Sequence, residues 1–242
     1  MRGKAARLLF NSIQFLVFFP IVTLLYFVLP GKWRPMMLLA ASSWFYMAFI
    51  PAYILILAGT ILVDYGAGLG LERLRNDPRR RLFLIASLAA NIGVLAIFKY
   101  YNFFSTNIDH AAAALGLQFA LPALKIALPV GLSFHTFQAM SYTLEVYRGH
   151  QKAERSLLIF ALYVMFYPQL VAGPIERPQN ILHQLHEVHA FDGRKVSEGL
   201  ELMLWGMFKK VVVADRLAIA VNAVYSAPRA HQGQELLLAT YA

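Results

Sequence analysis

The chain has 242 residues, of which 59% are hydrophobic and 14% are charged. Soluble domains carry about 25% charged residues, so this composition disfavours a soluble protein. The sequence contains no cysteine, which excludes disulfide bonds, thiolate nucleophiles and cysteine metal ligands. The formal net charge is +9, but the basic residues lie in short segments between apolar runs. The sequence therefore does not predict a nucleic-acid partner, because such a partner needs a continuous basic surface.

Long uncharged runs predict helices that cross a membrane. A helix needs about 20 apolar residues to span about 30 Å of hydrocarbon. With a hairpin that turns at Pro51, the runs predict one all-α membrane domain over residues 1–242, a polytopic helix bundle of about seven or eight spans. A loop at the membrane surface is predicted over residues 102–125. The predicted helices are 8–29, 36–50, 52–71, 82–99, 126–147, 156–173 and 199–225, with a last one beginning near Leu236.

The basic residues between the predicted helices indicate an orientation. Lys32, Arg34 and five arginines between residues 72 and 81 share one side of the membrane, and they outnumber Arg2, Lys4 and Arg7 on the other. Because short cytoplasmic loops are enriched in Lys and Arg, this pattern predicts an N-terminus outside the cytoplasm. A re-entrant hairpin at Pro51 would reverse that orientation.

Polar residues recur at helical spacing in the apolar segment 128–149. At 100° per residue, His135, Gln138, Tyr142 and Glu145 fall within an arc of about 80°. Such a row is costly against lipid, so it is expected to face the bundle interior or a water-filled cavity. Two interpretations stay open: the four residues hold helices together by hydrogen bonds, or they line a tunnel for a substrate.

The stretch "LVAGPIERPQNILHQLHEVH", residues 170–189, sets three histidines three residues apart. Zinc-binding helices place their histidine pair four residues apart, so the sequence predicts no metal site here. Pro174 and Pro178 predict irregular backbone over residues 172–179. Irregular backbone at membrane depth requires surrounding protein or a cavity, which would place Glu176 and Arg177 at a cavity rim.

Five stretches carry a family resemblance, in the same order from about residue 10 to residue 227. They read "FNSIQFLVFFPIVTLLYFVLP", "FKYYNFF", "LPVGLSFHTFQAMSYTLEVYRG", "FYPQLVAGPIERPQNILHQL" and "GLELMLWGMFKKVVVADRLA". With these stretches the sequence resembles the membrane-bound O-acyltransferase family. The resemblance is to the branch that contains the alginate O-acetyltransferase membrane component and the teichoic-acid D-alanyl transfer protein.

The resemblance implies a multi-pass transferase of the bacterial cytoplasmic (inner) membrane, with no bound cofactor and with acetyl-CoA as the acyl donor. An acyl group, most consistent with acetyl, would pass through a tunnel to a hydroxyl of an extracellular polysaccharide such as alginate. Extracytoplasmic polysaccharide-acetylation proteins would be its partners.

The resemblance further implies that the chain is the N-terminal half of an incomplete fold. The family's catalytic histidine is expected on a segment beyond residue 242, and His135 is not assigned that role. The alternative interpretation is a truncated, inactive membrane scaffold or conduit in a polysaccharide export complex.

Overall fold

The computed structural model describes residues 10, 12–116, 122, 131–170, 173 and 175–242. Every regular element in this part of the chain is a helix, which confirms the all-α prediction. A 3-10 turn precedes α2 and another precedes α11, and a π-helical segment, Lys209–Ala214, joins α9 to α10. The helices are α1 Ile13–Val28, α2 Arg34–Met47, α3 Tyr53–Arg73, α4 Arg80–Ala114, α5 Leu132–Arg148, α6 Leu157–Met165, α7 Tyr167–Leu170, α8 Pro178–His186, α9 Gly193–Phe208, α10 Asp215–Ser226 and α11 Gly233–Tyr241.

Two of the described helices are long and apolar enough to cross a membrane: α3, with 21 residues, and α4, with 35 residues. At 1.5 Å per residue α4 is about 50 Å long, which exceeds the hydrocarbon thickness of about 30 Å. Both helices expose large apolar side chains, among them Leu55, Leu62, Ile85 and Ile92. A surface of this kind suits lipid better than water. The shorter α1 is also apolar, and the count of seven or eight spans stays a prediction.

The end of α4 corrects the predicted loop over residues 102–125. The helix continues to Ala114, because no proline or glycine interrupts residues 99–115 and the run of alanines before its end strongly favours helix. Polar side chains beyond Asn102 bond back to the helix: Ser105 Oγ donates to the Asn102 carbonyl at 3.1 Å. The rest of that predicted loop, 117–121 and 123–125, lies outside the described residues.

The predicted helix 156–173 is two helices with a break at Phe166. Phe166 has an extended ψ of 112°, and Pro168 cannot donate the N–H that a continuous helix requires. The Tyr167 N–H, which a continuous helix would direct to the Tyr163 carbonyl, donates instead to Ser42 Oγ at 3.1 Å. The break therefore leaves the Tyr163 carbonyl available to another donor in a buried layer. Residues 171 and 172 lie outside the described part.

The chain divides into two units, and the first comprises Met1–Leu8 and Phe19–Val188. Within it α3, α4 and α5 pack against one another, and α6 packs against α2, α3 and α8. Its core is aromatic: Phe45, Tyr142, Phe160 and Tyr163 are each 0% exposed. The rings of Tyr142 and Phe160 lie 4.6 Å apart between centroids. This core supports the polar face of α5 described below.

The second unit comprises Leu9–Phe18 and His189–Ala242. Asp192 caps α9 by accepting a hydrogen bond from the Arg194 N–H at 3.0 Å. The predicted helix 199–225 is present as α9, the π-helical segment and α10. No residue of 189–242 is buried, and Leu202, Leu204 and Leu238 are among its exposed apolar side chains.

Candidate functional site

The four polar residues predicted to share a face of α5 are all buried inside the first unit. His135 is 2% exposed, Gln138 and Tyr142 are 0% exposed, and Glu145 is 8% exposed. The row therefore faces the interior of the first unit rather than the surface of that unit. Its function as the lining of a tunnel stays a prediction.

Gln138 joins α5 to the break between α6 and α7. Its Nε2 donates to the Tyr163 carbonyl at 2.8 Å, the carbonyl that the break at Phe166 leaves without a helical donor. The Tyr163 hydroxyl in turn donates to the Glu176 carbonyl at 3.1 Å. One amide and one hydroxyl therefore connect α5, α6 and the segment before α8. Sequence reasoning missed Tyr163, because a single tyrosine in an uncharged run forms no pattern.

His135 lies at the start of α5 with its ring edge towards Tyr46, at 5.8 Å between centroids. Neither ring nitrogen has a hydrogen-bond partner within the described part of the chain. The ring lies beside the backbone of Val164, whose carbonyl lacks a helical donor because Pro168 stands four residues later. Leaving a buried polar group unpaired costs about 1–3 kcal/mol. Gln138 Oε1 also has no hydrogen-bond partner within the described part of the chain. His135 and Gln138 are therefore the two residues in the row that retain capacity for a hydrogen bond with a small ligand.

Glu145 ties the end of α5 to α8 and to the loop that follows α5. Its Oε2 accepts from Gln179 Nε2 at 2.6 Å and is 3.1 Å from His150 Nδ1. Its Oε1 accepts from Arg148 Nη1 at 3.4 Å. The carboxylate is therefore bound from several directions, which fixes α8 against α5.

The loop 149–156 is held by three further contacts. The Glu154 N–H donates to the Tyr142 hydroxyl at 2.9 Å, and the Ala153 N–H donates to Glu72 Oε2 at 2.7 Å. Glu154 Oε2 lies 2.7 Å from His186 Nε2. The polar row of α5 thus ends in a layer of carboxylates and imidazoles. Sequence reasoning missed Glu72 and Glu154, since no regular spacing relates them to α5.

The predicted rim residues lie in the segment before α8. Residues 173 and 175–177 have no regular secondary structure, as predicted, while residue 172 and Pro174 lie outside the described residues. The prediction was wrong for residues 178 and 179, because α8 begins at Pro178, and proline is well tolerated in the first turn of a helix. Glu176 is half-buried and its Oε2 accepts from Asn180 Nδ2 at 3.0 Å. Arg177 is exposed and precedes the first turn of α8. The backbone of Glu176 therefore reaches the polar row through Tyr163, whereas the Arg177 side chain points away from the core.

The two histidines of α8, His183 and His186, contact other residues rather than each other. His183 Nδ1 lies 2.9 Å from the Gln179 carbonyl, and His186 contacts Glu154. Among the described residues no three histidine, aspartate or glutamate side chains form a group that fits a metal ion.

Comparison with curated proteins gives relatives along nearly the whole chain. The chain is 34% identical over 224 residues to the protein named "Probable alginate O-acetylase AlgI" in Pseudomonas putida, covering 90% of this chain and 45% of that protein. The protein of the same name in Pseudomonas aeruginosa is also 34% identical, over 90% of this chain and 42% of its own length. The peptidoglycan O-acetyltransferase of Helicobacter pylori is 30% identical, over 87% of this chain and 45% of its own length.

These relatives, which are named as O-acetylases and O-acetyltransferases, agree with the resemblance seen in the sequence. The chain spans less than half the length of the curated relatives that it matches. No protein-family model matches the chain, and no solved structure does. The helical structure of the described residues and the two membrane-length helices agree with the resemblance to the membrane-bound O-acyltransferase family.

Proposed function

We propose that the protein is part of a membrane O-acetyltransferase that transfers acetyl groups to hydroxyls of a polysaccharide. The observation that carries the proposal is the relationship, over 90% of the chain, to proteins named as alginate O-acetylases. The relative named as a peptidoglycan O-acetyltransferase supports the same reaction on a different carbohydrate polymer. Alginate is the acceptor that most of these names favour. The apolar runs of the sequence support a bacterial inner-membrane protein with seven or eight spans.

The buried row on α5 is proposed to line the path between donor and acceptor. Acetyl-CoA would supply the acetyl group from the cytoplasm, and soluble proteins outside would complete transfer to the polymer. The His135 ring nitrogens and the acceptor Gln138 Oε1 offer polar contacts inside an aromatic, water-poor layer, where a hydrogen bond to a substrate is stronger than in water. These residues would hold the substrate in position rather than break its bonds.

The general base is proposed to be a histidine outside these 242 residues. Deprotonation of an acceptor hydroxyl needs a group that titrates near neutral pH, and imidazole meets that requirement. In the site described here Glu145 is occupied by Gln179, His150 and Arg148. Such a bound carboxylate serves better as a structural anchor than as a base.

Alanine substitutions at His135 and Gln138 are expected to lower polysaccharide-bound acetyl on the order of 10- to 100-fold, because substrates positioned wrongly by about 1 Å react that much more slowly. The measurement is acetyl ester per uronic acid on polymer from cells that express the complete reading frame. The matched control is Phe137→Ala, on the same helix but 49% exposed. Wild-type acetylation in both variants, at equal amounts in the membrane, would contradict the lining role and leave a scaffold as the better interpretation.

A further inference from the structure

A second group of buried polar side chains lies where α3, α4 and α5 meet, outside the row described above. Asp64 on α3, Ser87 on α4 and Thr143 on α5 are each 0% exposed, and Asn91 on α4 is 1% exposed. Asp64 lies in the middle of one membrane-length helix, and Ser87 and Asn91 lie on the other. An ionisable residue in such a position is costly to keep and often marks a functional site.

The four side chains form one connected set of hydrogen bonds. Asn91 Nδ2 lies 2.8 Å from Asp64 Oδ1 and 2.9 Å from Oδ2, and it also donates to the Ser87 carbonyl at 3.0 Å. Ser87 Oγ lies 2.6 Å from Asp64 Oδ1 and 3.0 Å from Thr143 Oγ1. Thr143 Oγ1 lies 3.1 Å from the Ala139 carbonyl. The chain of oxygens therefore runs from α3 through α4 to α5.

Among the described residues, the carboxyl group of Asp64 has no positively charged partner. None of the ion pairs formed within 4.0 Å by the described residues includes Asp64. A buried carboxylate without a cation is strongly disfavoured, and the uncharged donors Asn91 and Ser87 offset only part of that cost. Neutralisation by a bound cation removes the cost.

The number of hydrogen atoms available for these contacts indicates that the cation is a proton. Three contacts between oxygen atoms each need one hydrogen: Asp64 to Ser87, Ser87 to Thr143, and Thr143 to the Ala139 carbonyl. The hydroxyl groups of Ser87 and Thr143 supply only two. A third hydrogen on Asp64 makes every contact a hydrogen bond, with Asp64 donating to Ser87, Ser87 to Thr143, and Thr143 to the Ala139 carbonyl. With Asp64 ionised, one of these three short contacts has no hydrogen between its oxygens.

We propose that Asp64, Ser87, Asn91 and Thr143 form a proton-binding site inside the membrane bundle, with the proton held on the Asp64 carboxyl and donated to Ser87. Asn91, one turn after Ser87 on α4, fixes the carboxyl group by donating to its two oxygens. The proposal rests on burial and hydrogen bonding, and it does not depend on the acetyl-transfer reaction.

The test is the infrared spectrum of the full chain in lipid nanodiscs at neutral pH, because a protonated carboxyl absorbs at a higher frequency than a carboxylate. A protonated-carboxyl band is expected in the wild type and is expected to be absent in Asp64→Asn. The matched control is Asp77→Asn, in the loop between α3 and α4, where Asp77 Oδ1 accepts from the Arg79 N–H. That variant is expected to keep the band.

A second variant, Ser87→Ala, tests the proposal if the Asp64→Asn protein does not fold. Ser87→Ala removes the acceptor of the Asp64 proton, so the band is expected to remain and to move to higher frequency. Spectra in which Asp64→Asn removes only carboxylate absorption, or in which no protonated band is present in the wild type, would overturn the proposal. A wild-type band that disappears when sodium is added would also overturn it, because the site would then bind a metal cation in place of the proton.

Discussion

Replacing Tyr142 by alanine is expected to lower the free energy of unfolding by about 3–5 kcal/mol, the usual cost of deleting a large buried aromatic side chain. The ring of Tyr142 is 0% exposed and packs against Phe160 and Tyr163. The substitution also removes the hydroxyl that accepts the Glu154 N–H. Deletion therefore leaves a cavity in the aromatic core and releases one attachment of the loop 149–156. Equilibrium unfolding in mixed detergent micelles measures the loss.

Two matched variants separate the contributions at Tyr142. Tyr142→Phe keeps the ring and removes one hydrogen bond, so a cost of about 1–2 kcal/mol is expected. Phe137→Ala removes an aromatic ring from the same helix at a half-exposed position, and a cost below about 1.5 kcal/mol is expected there. Equal losses for Tyr142→Ala and Phe137→Ala would show that α5 does not bury the face described above.

Gly131→Ala is expected to lower the free energy of unfolding by about 2–5 kcal/mol, which is the sum of a backbone cost and a packing cost. Gly131 has a φ of +76°, a left-handed conformation that costs a residue with a Cβ about 1–2 kcal/mol. A Cβ at this position would also clash with the Leu170 carbonyl oxygen. Since that oxygen belongs to the backbone, it cannot turn aside, and overpacking of this kind costs about 1–3 kcal/mol.

Gly149→Ala is the control that isolates the contribution of φ. Gly149 has a φ of +81°, and the only described atom that a Cβ there would meet is Arg75 Nη2, at 3.4 Å. Its alanine variant is therefore expected to lose only about 1–2 kcal/mol. The difference between the two variants in unfolding free energy measures the clash with Leu170. A difference of zero would contradict the close packing of the start of α5 against the end of α7.

The sequence predicted those features that repeat within one helix. Uncharged runs located most helices, and the 100° periodicity placed His135, Gln138, Tyr142 and Glu145 on a common face that the structure buries. The relation between residues three or four apart is a property of helix geometry alone, so a single sequence reveals it. The predicted ends of helices were less accurate, as the extension of α4 to Ala114 and the break at Phe166 show.

Contacts between helices could not be predicted in the same way. Asp64, Ser87 and Thr143 come from three helices, and their spacing in the chain reflects loop lengths rather than a structural period. The same holds for Tyr163 beside Gln138 and for Glu154 beside His186. The only available signal was a single acid, Asp64, within the apolar stretch 53–71. An isolated acid in such a stretch indicates a buried partner without identifying it.

The most direct measurement is acetyl transfer across a membrane that contains the protein. Inverted membrane vesicles are prepared from the bacterium that encodes the protein, with and without its complete gene. Isotopically labelled acetyl-CoA is added outside the vesicles, and the polysaccharide with its export proteins is enclosed inside them. Alkali-labile label is expected on the enclosed polymer only when the gene is present. Equal labelling in the two preparations, with acetyl-CoA intact and the protein present in the membrane, would contradict a function as part of an O-acetyltransferase.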